Sequence, residues 1–329
     1  MARIYLLTAH AATDEIRTKG AYLSLKENAL ADRFKIHHLV DDPEEADIVL
    51  FAEIDVGRLC QDVLCHPYIK QYREKCFMFS SDWRVIPFIP GVYTALEKRY
   101  YQPRRVRPGF YPSCLINPLI GFEPDPNRDL LYSFMGDLQT AKVRRTLAQL
   151  THPRAEFVNT SRESQAVMWK GTPEQRAVFW KKYVDLARRS KFVLCPRGVA
   201  PSSIRLFEMM AMGRAPVILS DAWVAPEGPR WESFAIQVPE RDALSIPAIL
   251  ESRESEAIEM GFRARKEWEE FFSPDLLFHR VVELCLEIKK ARRLPENLAR
   301  WTILPQLLRM HVFREYLRLL KQRVLKPGR

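Results

Sequence analysis

Apolar and polar positions alternate in blocks along the first part of the chain. The runs Ile4–Thr8, Lys35–Val40, Ile48–Ala52 and Cys76–Phe79 are short and predict strands. Between them, about Gly20–Ala31 and Tyr68–Glu74, apolar residues recur at three- and four-residue spacing and predict helices. Strands alternating with helices imply a parallel, helix-covered sheet. From about Pro87 to Pro126 the pattern weakens. PRRVRPGFYP and GFEPDPN are rich in Pro and Arg, and the end of this region reads as an interdomain linker.

A second alternation follows. Leu130–Phe134, Glu156–Asn159, Phe192–Leu194, Ala215–Leu219 and Phe234–Val238 predict strands. Ala141–Leu150, Pro173–Ser190, Ser202–Met212, Asp242–Leu250, Ser255–Phe271 and Pro274–Ala291 predict helices. The expected architecture is therefore two α/β domains, 1–125 and 126–275, with C-terminal helices in 276–329.

Composition fits a folded protein: 47% of the 329 residues are hydrophobic and only 12 are glycine. The opening MARIYLLTAHAATDE reads as a first strand rather than a secretion signal. The six cysteines form no C-x-x-C pair, which fits reduced thiols and a cytoplasmic setting. Cys60, Cys65, His66 and Cys76 lie close in sequence, but their spacing matches no zinc knuckle. The net charge of +10 is concentrated at one end. Lys289–Arg329 holds twelve basic and two acidic residues, and the rest is balanced. A neutral body with a basic tail is not the footprint of a nucleic-acid binder. Within HVFREYLRLLKQRVLK the apolar and basic positions take separate sides of a helix. That suits a terminal helix docked on its own protein, or attachment to an anionic membrane surface.

The stretch CPRGVAPSSIRLFE, Cys195 to Glu208, joins a predicted strand to a predicted helix. Ligands of open α/β sheets bind beyond the carboxyl ends of strands, and a helix start there offers unpaired N–H groups to an anion. Ser202 or Ser203 can cap the helix or donate to a phosphate oxygen. Arg205 adds a fork of donors, and Arg197 a second charge. Glu208 lies near the face of Arg205 and suits a pair of sugar hydroxyls. The same residues also suit an ordinary N-cap and an ordinary helix ion pair. No GxxxxGK[ST] and no GxGxxG occurs.

KFVLCPRGVAPSSIRLFEMMAMGRAPVILSD resembles the signature of the exostosin-like glycosyltransferases, glycosyltransferase family 47, through Cys195, Pro196, Gly198, Ser203, Arg205, Glu208, Gly213, Pro216, Val217 and Ile218. LLYSFMGDLQTAKVRRTL is similar through Phe134, Gly136 and Arg144 or Arg145, and WESFAIQVPERD through Phe234, Val238, Glu240 and Asp242. The resemblance implies a GT-B fold, two Rossmann-like α/β domains facing across a cleft, with the donor held by the second. It implies an inverting transfer from a nucleotide-sugar (UDP- or GDP-sugar) to a glycan or lipid-linked glycan acceptor. Ser203 and Arg205 would hold the diphosphate, Glu208 the ribose, and the Gly136 loop would face the donor. Val199 stands where plant members often have an acid.

Inverting transfer needs a general base, expected at a strand end of the first domain. Asp82, Glu53 and His10 are the candidates, and Trp83 beside Asp82 is a natural sugar platform. No D-x-D triplet occurs, so no metal ligand set and no cofactor is expected; Arg205, Arg197 and the helix start would supply the charge. The expected setting is bacterial cell-surface polysaccharide synthesis, in the cytoplasm or peripheral on the membrane. The alternatives are a fucosyltransferase-like enzyme using a GDP-sugar and a non-catalytic carbohydrate-binding protein on the same fold; intact Ser203, Arg205 and Glu208 argue against the latter.

Overall fold

A computed structural model describes residues 1–9, 16–54, 60–83, 86–111, 117–124, 127–163, 166–167, 171–299 and 301. The chain forms two compact units. Unit 1 comprises Met1–Thr94, Tyr100–Gly109 and the chain from Leu277 onward; unit 2 comprises Ala95–Arg99 and Phe110–Leu276.

Unit 1 holds a six-stranded sheet of β1 (Ala2–Leu7), β2 (His37–Leu39), β3 (Ile48–Glu53), β4 (Cys76–Ser80), β5 (Gly91–Tyr93) and β6 (Val106–Pro108). Its order is β2-β1-β3-β4-β5-β6, and every pairing is parallel. All six residues of β3 and all five of β4 are buried. A parallel strand covered on both faces has no solvent side, so it reads as an unbroken apolar run. Helix α1 (Ile16–Leu30) packs on β1 and β3. The two short helices α2 (Gln61–Cys65) and α3 (Pro67–Gln71) lead into β4.

Unit 2 holds β7 (Leu130–Gly136), β8 (Ala155–Asn159), β9 (Ser190–Pro196), β10 (Ala215–Leu219) and β11 (Ile236–Gln237), again all parallel, in the order β11-β10-β9-β7-β8. Its helices are α4 (Lys142–Leu147), α5 (Pro173–Arg188), α6 (Ile204–Ala211), α7 (Ile246–Ser252) and α8 (Ala257–Phe271). Helix α5 begins with a capping box. The Thr172 hydroxyl accepts from the Gln175 N–H and the Gln175 side chain accepts from the Thr172 N–H, with Pro173 at the first position. Helix α6 turns Leu206, Phe207, Met209 and Met210 inward and packs on β9, β10 and α8. Burial of each such side chain contributes about 1.5–3 kcal/mol, which holds the start of α6 against the strand ends.

In each unit, counted within itself, the first five strands lie in the order 2-1-3-4-5. The order reverses beside the first strand, between β1 and β3 in unit 1 and between β7 and β9 in unit 2. A ligand crevice opens at such a switch point. Two Rossmann-like α/β units with later helices are what the resemblance implied, and they match the composition of the GT-B class.

Three expectations change. The end of the Pro- and Arg-rich region, expected as a linker, falls within unit 2 rather than between the units, and its earlier part contributes β5 and β6 to the first sheet. The chain passes between the compact units at 94/95, 99/100, 109/110 and 276/277 rather than at 125/126 and 275/276. The helix after 276, α9 (Leu277–Ala291), packs on α1 and β5 of unit 1 rather than forming a separate segment. The short α10 (Glu296–Ala299) is tied to the same unit: Arg105 Nη1 lies 2.7 Å from Glu296 Oε1, both buried, and the Glu296 N–H donates to Glu74. The amphipathic tail segment HVFREYLRLLKQRVLK lies outside the described residues. No helix among the described residues is long and apolar enough to cross a membrane.

Candidate functional site

The polar residues of unit 2 gather at its switch point. Strand β9 ends at Pro196, and a loop leads to α6, whose N-cap position is Ser203. The Ser203 side chain makes no capping bond, so the expected serine cap does not form. The neighbouring Ser202 is buried, and its Oγ has no hydrogen-bond partner.

Arg205, in the first turn of α6, is only 8% exposed. Its Nη2 donates to the carbonyl of Met135 in β7. Its guanidinium carbon lies 4.7 Å from the centre of the Phe134 ring and 5.8 Å from that of Tyr183. Nε and Nη1 have no partner. A buried donor left unpaired costs roughly 1–3 kcal/mol, more when charged, so these two nitrogens are open to a further acceptor.

Glu208 does not pair with Arg205, contrary to the helix ion-pair reading. Its Oε2 accepts from the Tyr183 hydroxyl at 2.5 Å. Burial raises the Glu208 pKa above the usual carboxylate range, while the Tyr183 hydrogen bond and Arg205 pull it down. Burial, then the Glu208 charge, pushes the Tyr183 phenol up. Tyr183 comes from α5 and carries no motif. It stands in an ordinary helical pattern, so sequence reasoning missed it.

Of the two arginines matched in the α4 segment, the structure brings in Arg144. It bridges two loops by donating to the carbonyls of Arg197 (2.8 Å), Asp137 (3.1 Å) and Pro196 (3.2 Å). Burial, then the neighbouring Arg205, lowers its pKa to about 9. Arg145 is exposed. Two glycines make the crowding possible. A Cβ on Gly136 would lie 2.9 Å from Arg205 Nη2 and 2.8 Å from Phe134 Cζ, and one on Gly198 would lie 3.1 Å from Arg144 Nη2. Arg197 turns elsewhere: its Nη1 is 4.0 Å from Glu240 Oε1. Glu240 and Asp221 each accept from the other's backbone N–H, closing the ends of β10 and β11. Thr160, just past β8, donates its N–H to the Gly136 carbonyl and keeps a buried Oγ1 without a partner. It too was missed, as a lone threonine after a strand gives no signal.

In unit 1, Glu53 ends β3 at the other switch point and is fully buried. Its carboxylate accepts from Thr8 Oγ1 (3.0 Å) and from the Ala9 N–H (2.5 Å), binding the end of β1. Asp82, two residues past β4, is 8% exposed, and Trp83 beside it is 46% exposed. The buried Cys60 thiol feels both carboxylates: burial first, then Asp82 and Glu53, raise its pKa well above the ordinary value. His10 lies outside the described residues. Cys60 and Cys76 are buried and Cys65 is exposed, each as a free thiol.

The family model falls chiefly on unit 2. Residues 94–253 match the Exostosin GT47 domain. A 73-residue stretch, 22% of this chain, is 47% identical to the Exostosin-1 homolog of Caenorhabditis elegans, and covers 19% of that protein. A 78-residue stretch, 23% of this chain, is 38% identical to the probable beta-1,4-xylosyltransferase IRX10 of Arabidopsis thaliana, again covering 19% of it. The chain thus spans about a fifth of the length of these relatives, which are animal and plant proteins. MurG of Acinetobacter baumannii aligns with a TM-score of 0.36 at 13% identity, over 80% of this chain and 78% of that one, a likeness too distant to place residues.

Proposed function

We propose that the chain is an exostosin-like glycosyltransferase of family 47 and transfers a sugar from a nucleotide-sugar donor to a glycan hydroxyl. The observation that carries this reading is the buried Arg205 guanidinium with two unpaired nitrogens at the β7/β9 switch point. In this reading Arg205 meets the donor diphosphate, with the Ser202 hydroxyl and the first N–H groups of α6 as further donors. Glu208, oriented by Tyr183, accepts from the ribose hydroxyls. Arg144 holds the two loops in register and contributes charge.

The reaction follows from those roles. A base removes the proton of the acceptor hydroxyl while its oxygen attacks the anomeric carbon. The bond from that carbon to the diphosphate oxygen breaks, and the configuration inverts. The charge that develops on the leaving diphosphate is met by Arg205. We assign the base to Asp82, because Glu53 is fully buried and engaged with Thr8 and Ala9, whereas Asp82 stands beside the exposed Trp83. We read transfer as independent of metal; adding Mg²⁺ or Mn²⁺ should not raise turnover. The acceptor we assign is a glycan or lipid-linked glycan, and the basic tail would serve attachment to an anionic membrane. Sedimentation with anionic liposomes, comparing the full chain with one ending at 301, tests that attachment.

The direct test is a thermal-shift and calorimetric screen of UDP and GDP against the wild type and Arg205→Ala, with hydrolysis of the matching sugar donor measured in parallel. One nucleoside diphosphate should bind the wild type and bind Arg205→Ala at least tenfold more weakly. Equal binding to both proteins would remove Arg205 from the site.

A further inference from the structure

Three side chains of unit 1 that the transfer reaction does not use converge on one point. His37 opens the edge strand β2, and His279 and Glu283 lie four residues apart on α9, hence on one helix face. Their ligating atoms all lie within 4.8 Å of one another. The two imidazole rings are 5.1 Å apart between centres.

His37 is 4% exposed, and its Nδ1 has no hydrogen-bond partner. Nor has Nδ1 of His279. His37 Nε2 lies 2.8 Å from Glu283 Oε1, an ion pair when the ring is protonated. The three donor atoms are close enough to share one ion in place of the proton between His37 and Glu283. Burying an imidazole nitrogen without a partner is unfavourable, and a metal ion supplies a partner to a ring nitrogen here.

We propose that His37, His279 and Glu283 form a binding site for a transition-metal dication, zinc in the first place. Two imidazoles and one carboxylate are a borderline donor set, suited to Zn²⁺ rather than to Mg²⁺ or Ca²⁺, which take oxygen ligands. Three protein ligands leave a fourth position for water. Phe34 packs over His279, with ring centres 4.3 Å apart, and covers one side. The role is structural. The ion joins the edge strand of the first sheet to α9, a helix some 240 residues later in the chain, and so fastens the C-terminal segment to unit 1. Metal that binds the folded state alone stabilises it by mass action.

The test uses the full chain, stripped with a chelator and dialysed into metal-free buffer. It is titrated with ZnSO₄ by calorimetry and with CoCl₂ by visible absorption. One equivalent of Zn²⁺ should bind at micromolar Kd or tighter and raise Tm, and Co²⁺ should show the d–d bands of a tetrahedral nitrogen/oxygen site. His279→Ala and Glu283→Gln should each weaken binding at least tenfold. Glu283→Gln is isosteric and carries the test if His279→Ala does not fold. No saturable binding by the wild type overturns the proposal. So does unchanged affinity in Glu283→Gln, or a thiolate-to-cobalt charge-transfer band, which would assign the metal to cysteines.

Discussion

Arg205 rests on Phe134, its guanidinium carbon 4.7 Å from the ring centre, and donates to the carbonyl of the next residue, Met135. One residue of α6 is thereby fixed to β7 by both its flat face and its edge. Lysine keeps the charge but has neither the plane nor the fork. Arg205→Lys should therefore bind the nucleoside diphosphate at least tenfold more weakly by calorimetry, with a measurable loss in Tm. Affinity within twofold of the wild type would mean that charge alone suffices.

Glu208 gives a pH signature. Its proton is held more tightly in the folded chain than in the unfolded one, chiefly through burial. Such a group favours folding below its ordinary value of 4.5, and that contribution is lost as pH rises through the raised value. Glu208→Gln, which can still accept from Tyr183, should raise Tm relative to the wild type at about pH 7.5. The difference should shrink toward zero near pH 4. A constant difference across that range would show that the carboxyl does not titrate in this way. Donor binding should fall in the same variant.

Gly136 tests the crowding around Arg205. An added methyl must displace Phe134 or the guanidinium, an overpacking cost of about 1–3 kcal/mol. Gly136→Ala should lower both Tm and nucleotide affinity, whereas Gly198→Ala, with a looser 3.1 Å approach to Arg144, should do less. Equal effects of the two on nucleotide affinity would count against the placement of Arg205 beside the ligand.

The two carboxylates of unit 1 should separate by readout. Glu53→Gln replaces a charged acceptor of the Thr8 hydroxyl and the Ala9 N–H with a neutral amide, at a cost of about 1–3 kcal/mol, and should show first in the melting curve. Asp82→Asn should keep the fold and donor Kd within twofold and lose at least a hundredfold in kcat. Normal turnover in Asp82→Asn would move the base elsewhere, to Glu53 or His10.

Most strands of both sheets were legible because parallel strands buried on both faces leave continuous apolar runs, as in IVLFAE and LLYSFMG. Strands β5 and β6 were not, since three residues beside Pro and Arg carry no period and owe their state to the neighbouring strand. The arginine, serine and glutamate of the β9–α6 turn were legible from position and family resemblance. What the sequence hid was pairing. Nothing in it shows that Glu208 takes Tyr183 rather than Arg205, that Arg144 and not Arg145 turns inward, or that Ser203 leaves the helix uncapped. Those outcomes depend on which long side chains reach which carbonyls across the sheet. The same holds for His37 and His279, far apart in the chain.

The discontinuity of unit 1 has a consequence for how the protein is made. Its sheet is translated first, but α9 and α10, which cover α1 and β5 and pair with Arg105, are translated after all of unit 2. Domains fold as they emerge from the ribosome. Nearly all of unit 2 is a single uninterrupted segment, so it can close while the first unit still waits for its last helices. The nascent chain therefore passes through a stage in which the N-terminal sheet carries an uncovered apolar flank. Ribosome-arrested chains cut off near residue 276 would expose that flank to chaperones and proteases, and chains extended past 299 would hide it.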